Sequence, residues 1–241
     1  VVVNASGQEV NITINGLNID INETNEVCAF NIQAGTVNLT LEGKNVLKSG
    51  GSCAGLQVPK GSKLTIKGDG ELDAFGAWNS AGIGGIFREN AGTIIITEGT
   101  VTATGGAYGA GIGGGSYRSG GTIIITGGTV TATREGKGAG IGGGNSGQSG
   151  TFSAEGGNAF IIVSSISDKS GKESSWQGVI FEGNEGHIYG KPTIKTNAEI
   201  PADKKLIINE GQELVFAEGV TLTNNGVIEG SENIKLAVTY H

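Results

Sequence analysis

AGIGGIFRENAGTIIITEGTVTATGGAYG (residues 81–109) runs straight into AGIGGGSYRSGGTIIITGGTVTATREGKG (residues 110–138), and the two agree at 18 of 29 positions. AGIGG returns once more at 139–143. The agreement lies in three blocks: AGIGG, GTIIIT (92–97 and 121–126) and GTVTAT (99–104 and 128–133). A fixed period made of three short β-prone blocks marks a solenoid in which each repeat is one coil. In GTVTAT, Val101 and Ala103 alternate with threonines, the period of two that a half-buried strand requires. Ile94, Ile95 and Ile96 are β-branched and too short a run for a helix, so 92–97 reads as a buried strand. Glycine-rich connectors leave no room for a crossover helix. The sequence therefore predicts an all-β fold, a single-stranded, right-handed parallel β-helix with three strands per coil and coils about 4.8 Å apart. A Ca²⁺-binding roll is excluded, because AGIGGG has no Asp where that ion needs one.

Outward from this stretch the register weakens but persists. Ala54-Gly55-Leu56 lies 27 residues before Ala81-Gly82-Ile83, and Leu72 and Ala74 fall 29 before Val101 and Ala103. The alternating amino-terminal segment NITINGLNIDI (11–21) reads as part of a first coil that also closes the core. Beyond Gly144 the pattern decays, with a polar, turn-rich stretch at 165–175 (SISDKSGKESS) read as a surface insertion. The chain is thus expected to be one β-helix domain over 1–241: irregular coils over 1–80, regular 29-residue coils over 81–158, and carboxy-terminal coils over 159–241. At about 25–29 residues per coil, about eight or nine coils fit.

Forty-six glycines without a G-X-Y period exclude collagen, and the β-prone blocks argue against disorder. A net charge of −7 speaks against nucleic acid and anionic membrane as partners, since both ask for positive charge. No apolar run approaches the roughly 18–20 residues of a membrane span. The absence of methionine, even at position 1, suggests a piece of a longer chain.

Cys28 and Cys53 immediately precede Ala29 and Ala54, one coil apart. Stacking at about 4.8 Å lies inside the Cα range of a disulfide, and a bond there implies an oxidising setting. The alternative is a pair of buried free thiols filling a core column. Metal ligation is disfavoured, for there is no C-x-x-C, and His187 is the one internal histidine.

If Ile83, Ile112 and Ile141 point inward, the glycines beside them are expected to face outward as a strip without side chains. Trp78, Tyr108 and Lys137 precede this strip, while Phe87-Arg88 and Tyr117-Arg118 follow it. Rings and guanidinium groups suit a polysaccharide, whose C–H faces stack on aromatics while its hydroxyls take directed hydrogen bonds. These seven residues are the candidate carbohydrate contacts; the competing reading has the glycines serving corners and the aromatics sealing turns. Threonine columns in two coils are too short for an ice-binding array. For catalysis the chain offers only carboxylate pairs such as Asp69 with Asp73 or Glu71 with Asp73, which read equally well as a turn entering a strand. No catalytic residue and no cofactor is assigned.

The GTIIITGGTVTAT and GAGIGGG words, with weaker echoes at 37–43, 54–68 and 200–226, resemble a group of secreted and cell-surface bacterial β-helix proteins. The resemblance implies a non-catalytic, carbohydrate-binding or adhesin-like module outside the cell, with a polysaccharide or host-surface glycan as partner. A polysaccharide lyase or glycosidase and an inert stalk are the rival readings.

Overall fold

Ile83, Ile112 and Ile141 lie directly over one another. The computed structural model describes residues 1–21, 26–167, 169 and 171–236, and it pairs Ile83 with Ile112 and Ile112 with Ile141 in parallel register. Leu56 continues this column on one side and Ile166 on the other. The second column stacks Leu64, Ile94, Ile123 and Phe152. The third stacks Leu72 on Val101 on Val130, beside Ala74, Ala103 and Ala132. All three columns meet in one core. Removing each isoleucine from water contributes about 1.5–3 kcal/mol, and the columns repeat that gain coil after coil. The chain is a parallel β-helix.

Two local expectations need correction. The 92–97 strand is buried on one face only, with Ile94 and Ile96 inside while Ile95 stays half-exposed between them. The insertion is shorter than 165–175. Ile141 donates its N–H to the Ser165 carbonyl and Ile166 is buried, so the column takes in both residues before the chain leaves it. Residues 168 and 170 of that insertion, and 237–241 at the end, lie outside the described residues.

At the amino-terminal end, Val2–Asn15 pairs in parallel with Phe30–Glu42 as the first coil. Its inward side chains Val3, Val10 and Ile12 are only partly covered. At the other end Trp176, 4% exposed, lies over the core and meets Phe152 edge-on at 5.2 Å.

The carboxy-terminal coils do not extend the same stack. Gly178–Glu182 adds in parallel to Thr151–Val163, but Glu185–Tyr189 then pairs with it antiparallel, and the chain reverses. From there a second array begins. Glu185–Tyr189, Lys205–Ile207 and Val227–Glu229 form one parallel face. Thr193–Ile194, Leu214–Phe216 and Ile234–Leu236 form another, and Ala198–Ile200 with Leu222–Asn224 a third. This array has its own core, which includes Phe160, Ile162, Val179 and Phe181 from the last strands of the first. Strand alternation explains the sharing: Ile161 and Val163 face the first core, Phe160 and Ile162 the second. Thr129 ties the arrays together, donating its hydroxyl to the Asn197 carbonyl at 2.8 Å.

Candidate functional site

The corners on either side of AGIGG carry the candidate residues. After each motif the chain makes the same tight turn, closed by Glu89 N–H to Ile86 O, Arg118 N–H to Gly115 O and Gly147 N–H to Gly144 O. The third residue of each turn is left-handed: Arg88 at φ +60°, Tyr117 at +65° and Ser146 at +57°. Non-glycine residues seldom adopt this conformation. The repeated turn explains the one-residue offset between Phe87 and Tyr117, because Phe87 matches Ser116 and Arg88 matches Tyr117.

Before AGIGG, Tyr108 donates its N–H to Trp78 O, and Lys137 donates to Ala107 O. The Trp78 and Tyr108 rings consequently touch edge-on, 5.9 Å apart with planes at 66°. Trp78 is 63% exposed and Tyr117 53%, while Phe87 is 36% exposed. The Arg88 guanidinium lies 5.1 Å over the Phe87 ring, and Arg118 Nε donates to Arg88 O. The two corner columns are sewn to each other. Ser116 N–H bonds to Asn79 O, Asn145 N–H to Tyr108 O, and Tyr117 N–H to Asn145 O. Trp78, Tyr108, Phe87, Arg88, Tyr117 and Arg118 therefore share one continuous rim; Lys137, exposed, extends the Trp78–Tyr108 column by its backbone.

The expected glycine floor is absent. Gly82, Gly84, Gly111, Gly113, Gly140 and Gly142 are all buried. A Cβ on Gly82 would stand 2.7 Å from Thr104 N, 2.8 Å from Gly111 O and 2.9 Å from Ala74 O. Gly113 has φ +138°, and a Cβ there would overlap the Gly142 carbonyl oxygen. These glycines let backbone pack against backbone inside the corner, so no strip of bare backbone faces outward.

The cysteines are buried thiols, 7% and 5% exposed. Phe30 pairs with Leu56, so the sequence positions are one residue out of level. The neighbouring Cys53 and burial push the Cys28 thiol well above its usual range, and Cys28 in turn lowers Cys53.

Two cavities escaped the sequence reading. A cleft of about 670 Å³ between the arrays is lined by Asp69, Glu71, Glu98, Lys195, Asn197 and Glu218, among others. Of the carboxylate pairs considered for catalysis, Glu71 and Asp73 face Lys44, at 4.0 and 3.7 Å. A second cavity of about 390 Å³ at the end of the first array is lined by Lys169, Glu173, Trp176, Glu182, Glu185, His187 and Tyr189. Lys169 pairs with Glu182 and lies 3.9 Å from Glu173, and Trp176 meets Tyr189 edge-on at 5.5 Å. The signal was present in EGHIY (185–189), whose alternation sends Glu185, His187 and Tyr189 to one face. Among the described residues no group of three or more His, Cys, Asp or Glu side chains is arranged to hold a metal ion.

A family model described as a beta helix repeat matches residues 64–87, 94–116 and 123–145. What the chain shares with that family is the coil itself. No curated protein and no solved structure matches the chain significantly. Among the described residues no helix is long and apolar enough to cross a membrane.

Proposed function

We propose that the chain is a non-catalytic carbohydrate-binding module of a secreted or cell-surface protein, an adhesin-like element whose contact surface is the corner rim. The observation that carries this reading is the row of exposed rings, Trp78, Phe87 and Tyr117, held on hydrogen-bonded corners beside Arg88 and Arg118. The backbone beneath the rings is already ordered, so stacking against sugar C–H faces costs only the side-chain rotations. Guanidinium groups beside them donate to hydroxyls or to uronate carboxylates. The test is affinity electrophoresis of the protein through gels containing neutral and acidic polysaccharides. Retardation by at least one glycan that is lost in Trp78→Ala and Tyr117→Ala supports the rim; migration unaffected by every glycan leaves an inert stalk.

A second reading, polysaccharide cleavage, is favoured by the inter-array cleft and its carboxylates Asp69, Glu71, Glu98 and Glu218. Release of reducing ends marks a hydrolase, and absorbance of unsaturated uronates marks a lyase. Neither product forms if the module only binds.

A further inference from the structure

We propose that Cys28 and Cys53 form a coil-to-coil disulfide that staples the base of the aromatic rim. Both cysteines are buried on adjacent coils, two and three residues before the paired Phe30 and Leu56, with no other cysteine in the chain to compete. The reaction is thiol–disulfide exchange with a small-molecule or enzyme disulfide. One of the two cysteines, as its thiolate, attacks one sulfur of the oxidant and expels its first thiolate. The other then attacks the protein sulfur of that mixed disulfide and expels the second. Two protein thiols become one disulfide, the oxidant becomes two thiols, and the two protons pass to the thiolates that leave. Because both sulfurs are covered in the closed coil, the exchange takes place while the coil is still forming or when it opens locally.

The staple reaches the rim through the backbone on either side of Cys53. Cys53 O accepts the N–H of Ala77, the neighbour of Trp78, at 2.9 Å, and Ser52 O accepts the N–H of Phe87 at 3.4 Å. Ser52 O also accepts the Ser80 hydroxyl at 2.5 Å. A second link runs through side chains. The Cys28 thiol donates to Gln57 Oε1 at 3.3 Å, and Gln57 Nε2 donates to Glu89 Oε2 at 2.8 Å, within the turn that carries Phe87 and Arg88. Oxidation removes the thiol donor from this chain of bonds and fixes the segment on which the first rung of the rim rests.

The experiment needs no substitution. The full chain is unfolded and reduced, refolded in a glutathione redox buffer, then denatured and alkylated. Intact protein with no alkyl group, a mass about 2 Da below the reduced chain and a peptide joining Cys28 to Cys53 support the proposal. Two alkylated thiols, glutathione adducts or disulfide-linked dimers overturn it. Coupling to the rim is read by hydrogen exchange: the Ala77 and Phe87 amides exchange about tenfold more slowly in the oxidised protein, while the Ile94 and Ile96 amides do not change. Equal rates at Ala77 and Phe87 in both forms overturn the stapling of the rim. The alkylation result is independent of what the rim binds, so a protein that binds no glycan still decides it.

Discussion

The Trp78 indole meets the Tyr108 ring edge-on across two coils, 5.9 Å between centroids. The contact exists because the Tyr108 N–H is bonded to the Trp78 carbonyl, which sets one ring above the other. With Trp78 63% exposed, the pair contributes little to folding. A double-mutant cycle of Trp78→Ala and Tyr108→Ala, read by urea unfolding, is expected to give a coupling of about 0.5–1 kcal/mol. Glycan retention, in contrast, is expected to fall by an order of magnitude or more in either single variant, since a stacking aromatic is where binding energy concentrates.

Ile112 sits between Ile83 and Ile141 with no exposed surface. Truncation to alanine leaves a hole in the middle of a column that rigid coils cannot close. Ile112→Ala is expected to lower the unfolding free energy by about 2–5 kcal/mol. Ile95→Ala, on the half-exposed face of the neighbouring strand, is expected to cost distinctly less in the same urea titration.

Gly113 and Gly61 both have positive φ, +138° and +91°, but only Gly113 is enclosed. A Cβ on Gly61 meets nothing within 4 Å, so Gly61→Ala carries the conformational cost alone, about 1–2 kcal/mol. Gly113→Ala adds the overlap with the Gly142 carbonyl and is expected to reach about 2–5 kcal/mol. Equal losses in thermal unfolding would show that the corner is not packed backbone against backbone.

Tyr189 and Lys169 set the alkaline limit. Burial, then the Glu173 charge, raises the Tyr189 phenol, and the Glu182 hydrogen bond raises the Lys169 ammonium. A group whose pKa is higher in the folded chain contributes stability that is fully present below its unfolded value and is lost as pH rises through its folded one. Stability is therefore expected to decline from about pH 10 upward. Lys169 is 44% exposed, so its share is about 0.5 kcal/mol or less. Tyr189→Phe is expected to flatten part of the decline in urea midpoints measured from pH 8 to 11, and an unchanged slope would remove Tyr189 from this account.

The stacked coils were legible because identical letters recur at a fixed period, and that is what Ile83, Ile112 and Ile141 confirm. The rim was legible in part, since aromatic and basic residues beside AGIGG stand out in a chain with few aromatics. The glycine strip was misread because period-two reasoning assumes ordinary strand dihedrals. Gly84, Gly113 and Gly142 lie at φ +134° to +138°, which breaks the alternation within a two-residue strand. The chain reversal was illegible for a different reason. Its turn, Glu182-Gly183-Asn184-Glu185, has the same glycine and asparagine chemistry as the corners that keep a coil winding. What marks it is the strand beyond: Gly186 and Ile188 must face a second core, a tertiary fact with no local signature.

Phe160, Ile161, Ile162 and Val163 belong to two interiors at once. Ordinary solenoids come apart from an end, one layer after another, because each layer touches only its neighbours. Here the distal layers are anchored sideways on the outer surface of the proximal ones, at Phe160 and Ile162 and through the Thr129 hydroxyl. Tension applied at the carboxy-terminal side would have to shear that broadside contact before any layer could unwind. A force–extension trace would show one large rip in place of a staircase.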